Sequence, residues 1–207
     1  MLIHKRLVFS DPKFWDDKND TELLEIYRTR SKDKAKQSKP AKKVLALCFL
    51  RQHETIHHWK TFANGICGCC IEFDKAKFIK LLTTHKNSGE KVRFGSVVYK
   101  RLKDVDDEVG TIDDCDEMLP FTKRWPYRFE KEFRVIWEGN TEKHEILDID
   151  LTMIKKITIS QMMHEPLYST IRDFLIKETD GLLIEKINPS TVYENRVGWI
   201  EKFKSKN

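Results

Sequence analysis

Ten residues, Glu130 to Gly139, reading EKEFRVIWEG, constrain this chain more tightly than any other stretch of its 207 residues. Charged and apolar side chains alternate there. A period of two belongs to a strand, whose successive side chains leave on opposite sides. One face then carries Glu130, Glu132, Arg134 and Ile136; the other carries Lys131, Phe133, Val135 and Trp137. The second set reads as the core side, which turns the first toward a cleft. Two carboxylates two positions apart on one face repel, so that face needs either cationic partners or a task that uses paired negative charge.

Such a strand needs others to pair with and an apolar layer to cover it. KRLVFS (5–10), VLALCFL (44–50), GICGCCIEF (65–73), KVRFGSVVYKRL (91–102), HEILDID (144–150) and KKITIS (155–160) read as strands. In GICGCCIEF the small residues permit close approach of another backbone. DTELLEIYRTR starts a helix, with Asp20 or Thr21 as N-cap and Leu23, Leu24, Ile26 and Tyr27 as its apolar face. About Glu54 to Ala63 a helical stripe of Ile56, Trp59, Phe62 and Ala63 reads as buried. DKAKFIKLLTTH and HEPLYSTIRDFLIKE are further helices, the latter with Pro166 in its first turn, and GLLIEKI closes the regular part. Helices interspersed among strands predict an α+β single domain over residues 1–207, with a mixed, mainly antiparallel sheet and flanking helices.

Composition excludes several classes. Apolar residues at 40% and charged residues at 34% describe a globular chain rather than a disordered one. No apolar run approaches the length of a membrane span, and MLIHKRLVFS lacks a signal peptide's apolar core, so a cytoplasmic protein without a membrane partner is expected. Five cysteines, three of them crowded together, argue against a disulfide framework. The net charge of +5 is unevenly spread. Residues 28–43 hold eight bases against Asp33 alone, and residues 104–117 hold eight acids and no base. Both runs read as solvated loops, the basic one mobile over about 30–42, with nucleic acid as its possible ligand.

HETIHH (53–58) contains the spacing of a zinc protease motif, His53, Glu54 and His57. It follows the strand VLALCFL directly, so His53 falls in the entry turn and the pair need not share a helix face. Glu72 and Glu90 lie at third-ligand distances in sequence but in no recognisable second motif. Cys67 and Cys70 would leave a strand on opposite faces, and nothing completes four ligands, so they read as small buried fillers. The zinc motif reads as accidental, and no metal is expected.

The segments CFLRQHETIHHWKTFANGICGCCIEFD and YRFEKEFRVIW resemble the bacterial domain of unknown function 2971 family. The shared features appear as Phe9-Ser10-Asp11-Pro12, FWDDKND, Cys48-Phe49, Trp59, Gly68 to Phe73 and Glu130 to Arg134. Trp15 and Asp17 stand where most members have Asn and Pro, as in a WDDKND branch. The Glu-x-Glu strand is also similar to the catalytic strand of ADP-ribosyltransferases, in which an anion stabilises a developing cation as nicotinamide leaves. That analogy implies Glu132 and Glu130 as catalytic residues and NAD as donor, with His4 or Arg6 and Thr61 in the supporting positions. Arg134, His58, Trp59, Trp15, Asp16 and Tyr127 become candidates for substrate binding, the tryptophans by stacking and one of His57 and His58 by hydrogen bonding. The functional expectation is an ADP-ribosyltransferase-like toxin or anti-phage effector. The alternatives are a binding or interaction module, with a protein partner and a structural Glu-Glu-Arg network, and a metal-dependent nuclease or nucleic-acid-binding protein. Acceptor and oligomeric state are not legible.

Overall fold

The alternating strand forms, and it is buried on both faces. The computed structural model describes residues 1–34, 43–63, 67–85, 90–108, 117–139, 145–194 and 199–204. In it β7 (Glu132–Gly139) lies between β2 (Lys43–Leu50) and β4 (Lys91–Ser96), antiparallel to both. Cys48 sits opposite Arg134, Leu45 opposite Trp137, and Phe94 opposite Val135. A central strand has no free edge, so packing decides both its faces. Arg134, Val135, Ile136 and Trp137 are all buried, whereas Phe133 is half-buried. The expectation that Glu132 and Arg134 face a cleft is therefore corrected: their face points into the protein. Glu130 lies outside the strand, in a 3-10 turn over Trp125–Glu130, and Lys131 between them takes a left-handed backbone at φ 48°.

The chain divides into two compact units, neither continuous in sequence. The first comprises Met1, Lys5–Gln52 and Ala76–Ile149. Beside the three-stranded sheet it holds the antiparallel pair β1 (Arg6–Val8) and β8 (Ile146–Asp148), and the parallel pair β5 (Val98–Lys100) and β6 (Thr122–Arg124). The stretch expected as one strand over 91–102 breaks at Val97, whose N–H donates to the Glu132 carbonyl at 3.0 Å. Helix α1 (Lys18–Lys34) begins two residues before the expected cap; Asp17 Oδ1 accepts from the Asn19 N–H at 3.1 Å. Of its expected apolar face Leu24 and Tyr27 are buried, against Val44, Ala46 and Ile136, while Ile26 is exposed. The basic run continues this helix to Lys34, and the acidic run begins in α4 (Leu102–Glu108). Residues 35–42 and 109–116, where loops were expected, lie outside the described residues.

The second unit comprises Leu2–His4, His53–Lys75 and Asp150–Asn207. Its sheet places β9 (Ile154–Ile159) between β3 (Cys69–Phe73), antiparallel, and β10 (Ile187–Pro189), parallel. Leu151, Ile154, Ile157, Ile159, Leu183 and Ile187 make its core. The helix after Pro166, α5 (Glu165–Glu178), packs on that core through Tyr168, Ile171 and Leu175, spaced three and four apart on one face. Two short helices complete it, α2 (Ile56–Phe62) and α6 (Trp199–Lys204). Regular structure thus continues past GLLIEKI. The expected stripe of α2 is corrected too: Ile56 and Phe62 are exposed, and His58 and Trp59 are the buried pair. α3 (Lys75–Thr84) starts at the boundary and belongs almost wholly to the first unit.

The class is α+β, with mixed, mostly antiparallel sheets distributed over four sets of strands. Among the described residues no helix is long and apolar enough to cross a membrane. Cys48, Cys67, Cys69 and Cys70 are free thiols with exposed surface, so the reading of Cys67 and Cys70 as buried fillers is corrected.

Close approach at Gly68 does occur: a Cβ there would collide with the Ala63 carbonyl, which as backbone has nowhere to go. Gly95 differs, its nearest neighbour being the Phe121 ring at 3.7 Å. Gly68→Ala is expected to cost about 1–3 kcal/mol. Gly95→Ala should stay within about 0.5 kcal/mol of wild type. Paired denaturant melts check the contrast, and equal effects would contradict it.

Candidate functional site

The inward face of β7 leads to a buried ionic centre in the first unit. Arg134 is 0% exposed and uses its whole planar fork. Its Nε lies 2.7 Å from Glu132 Oε1 and its Nη2 3.0 Å from Glu132 Oε2, a contact made possible because residues two apart share a strand face. From α1, Asp20 meets Nη1 at 3.0 Å and Nη2 at 2.7 Å, while the Pro120 carbonyl accepts from Nη1 at 3.0 Å. The guanidinium lies 5.3 Å from the centre of the Trp15 ring, whose indole N–H donates to Ser10 Oγ.

Lys123 enters from β6. Tyr99 and Lys123 are cross-strand partners, as are Lys100 and Arg124, so alternation turns the first pair inward and the second outward. Lys123 Nζ lies 2.8 Å from Glu130 Oε2 and 3.5 Å from both Asp20 Oδ2 and Glu132 Oε2. It also stands 4.8 Å from the Tyr127 ring centre. The Tyr99 hydroxyl accepts the Glu132 N–H at 2.8 Å. Three buried carboxylates thus face two buried cations, one negative charge in excess.

The carboxyls respond differently to the same surroundings. Burial alone would raise Glu132, but the Arg134 hydrogen bonds and charge override it and hold its pKa below the ordinary glutamate value. Burial dominates at Glu130 and raises its pKa, against the opposing pull of Lys123. Burial opposes the charge of Lys123 and Arg134, yet their carboxylate partners raise both. Both Glu132 oxygens are committed to Arg134, which suits a structural anion. Glu130, displaced toward the protonated form, is the carboxyl better suited to proton transfer.

The sequence-derived candidates therefore divide. Glu130, Glu132, Arg134, Trp15 and Tyr127 come together. Asp16 is exposed and stands outside the cluster, and its expected place is taken by Asp20. His58 and Trp59 belong to the second unit, as do His4 and Thr61, and Arg6 pairs with Asp148 on the surface at 2.9 Å. Lys123 and Tyr99 were missed because a three-residue strand carries too little alternation to read. Asp20 was legible: it precedes Leu24 and Tyr27 by four and seven residues, which places it on their buried stripe.

The HETIHH segment takes a structural role. Glu54 Oε2 accepts from Trp59 Nε1 and from Ser190 Oγ, both at 2.7 Å, joining the entry of α2 to the end of β10. His53 and His57 are exposed, while His58 is buried with its Nδ1 3.2 Å from Thr55 Oγ1.

Compared with known protein families, with curated proteins and with solved structures, the chain matches none of them.

Two expectations follow. Glu132→Gln keeps a hydrogen-bond acceptor but leaves Arg134 short of an anion, and should lower stability by about 1–3 kcal/mol. Because the folded pKa of Glu132 is depressed, its stabilisation is present above the ordinary value of 4.5 and lost as pH falls through the folded value. The acid limb of a stability–pH curve should therefore be shallower in Glu132→Gln, and an unchanged limb would refute the ionic assignment. In the second unit, Glu54→Ala strands two donors and should cost about 1–3 kcal/mol, whereas His53→Ala should leave the melting temperature unchanged. A thermal melt of each variant decides.

Proposed function

We propose that this chain is a non-enzymatic binding module whose ionic centre is scaffold, and that its ligand is a single-stranded nucleic acid. The observation that carries the reading lies on the outward side of the same elements. Arg101 and Arg128 place their guanidinium carbons 4.7 and 4.9 Å from the centre of the exposed Trp125 ring. Arg128 also stands 4.1 Å from Phe129, which is 60% exposed, and Arg124 stands 5.7 Å from Tyr127. Among the described residues, none of these three guanidiniums meets a carboxylate within ion-pair distance.

A guanidinium held against a ring can still grip a phosphate through two donors, and Arg128 commits only Nη1, to the Trp125 carbonyl at 3.3 Å. Exposed aromatic faces add a platform for bases that tolerates any sequence. Cation and ring at one place fit a ligand that alternates phosphate and base. A protein partner would be served by the apolar surface alone, and the unpaired arginines favour the polyanion.

The transferase reading asks Glu132 to act on a developing cation. Its carboxylate is 4% exposed and held at both oxygens, which speaks for the scaffold role. NAD is retained as the substrate of that second reading, in which Glu130, whose pKa burial raises, is the carboxyl not held by Arg134.

Fluorescence anisotropy with labelled oligo-dT and oligo-U provides the test. Three phosphate contacts give a slope of log affinity against log salt of about −2. Arg101→Ala and Arg128→Ala should each weaken binding and flatten that slope by about 0.7. Phe129→Ala should cost about 1–3 kcal/mol with the slope retained. Absence of binding at low salt, or binding indifferent to both arginine variants, would overturn the proposal. Nicotinamide release from NAD that vanishes in Glu132→Gln without a lowered melt would favour the transferase instead.

A further inference from the structure

We infer that His85, Glu90 and Glu145 form a binding site for one divalent transition-metal ion. The three residues stand at element ends of the first unit: His85 just past α3 and Glu90 just before β4, five residues apart, and Glu145 just before β8. One donor atom from each lies within 4.8 Å of the other two. Donors held at about 2 Å from a shared ion span such distances. His85 Nε2 already lies 3.0 Å from Glu145 Oε1, and the side chains of these two are 19% and 12% exposed. The Phe9 N–H donates to the Glu145 carbonyl at 3.0 Å, which anchors that residue's backbone.

The second observation is Glu90 Oε2, a buried oxygen that meets no hydrogen-bond partner among the described residues. A carboxylate oxygen removed from water and left bare is costly, and it sits beside a second carboxylate. Protonating His85 does not cure this. Nε2–H serves Glu145, and Glu90 still lacks a donor. A divalent cation satisfies all three groups at once and offsets both negative charges.

The donor set narrows the ion. Calcium and magnesium favour sites made of oxygen alone, whereas an imidazole with two carboxylates suits zinc, manganese, iron(II) or cobalt. Three protein donors leave a coordination position for water. The site is independent of the ionic centre and of the proposed nucleic-acid surface. It also shares no residue with HETIHH.

The test uses full-length protein stripped with EDTA and titrated with cobalt(II). One equivalent should produce visible d–d bands and raise the melting temperature, with no thiolate charge-transfer band, since the chain's five cysteines are the competing donors. His85→Ala, Glu90→Gln and Glu145→Gln should each weaken cobalt binding at least about tenfold. His57→Ala should bind as wild type does. Melts of the metal-free variants identify any that fail to fold, and Glu90→Gln, which changes a single atom, then decides. A missing cobalt signal, a thiolate band, affinity retained in the folded variants, or affinity lost in His57→Ala would each overturn the inference.

Discussion

The first unit is organised around one guanidinium. Arg134 is fully buried, and a cation without water must be surrounded by anions and acceptors or it destabilises everything near it. Meeting that need recruits Asp20 from α1, Glu132 from its own strand, the Pro120 carbonyl from the approach to β6, and the face of Trp15. Each partner comes from a different piece of chain, so satisfying Arg134 also sets where α1 and the 119–124 segment rest on the central sheet. An apolar residue of similar size would pack there without requiring any particular partner. The charged centre is selective because the alternative to correct assembly is a bare buried charge.

That centre also explains which side chains of the neighbouring segment face outward. The alternation of the short pair β5 and β6 turns Tyr99 and Lys123 inward and leaves Lys100 and Arg124 outward. The 3-10 turn that follows carries Trp125, Arg128 and Phe129 before it returns Glu130 to the interior. One short segment therefore contributes to both systems: its acid and its lysine pair inside, while Arg128 lies against the Trp125 and Phe129 rings outside and donates to the Trp125 carbonyl.

The histidines make a related point about motifs. HETIHH is compact enough to read from the sequence, yet its glutamate ties Trp59 to Ser190 and its first two histidines face solvent. His85, Glu90 and Glu145 share no readable spacing, but the fold brings them together. Spacing identifies a ligand set when one helix or hairpin supplies it. A set assembled from two distant stretches of chain carries no local signature, because its geometry is a property of the packing.

The sequence by itself determined the class and the longer elements. Alternation marked β7 and β9, helical spacing marked α1 and α5, and an apolar strand-length run marked β2, since each pattern follows from the geometry of one element. It also brought Glu130, Glu132, Arg134, Trp15 and Tyr127 forward as residues with something to explain. Only the tertiary structure decided which way they face. Period two divides a strand into two faces without saying which is buried, and here the elements that cover β7 bury both. The same limit made Ile56 and Phe62 look like core and hid His58, because a seven-residue helix has too few turns to define its buried side. Asp20 read from the sequence as an N-cap candidate, and that it instead closes a bidentate pair with an arginine 114 residues away is settled by three-dimensional proximity alone.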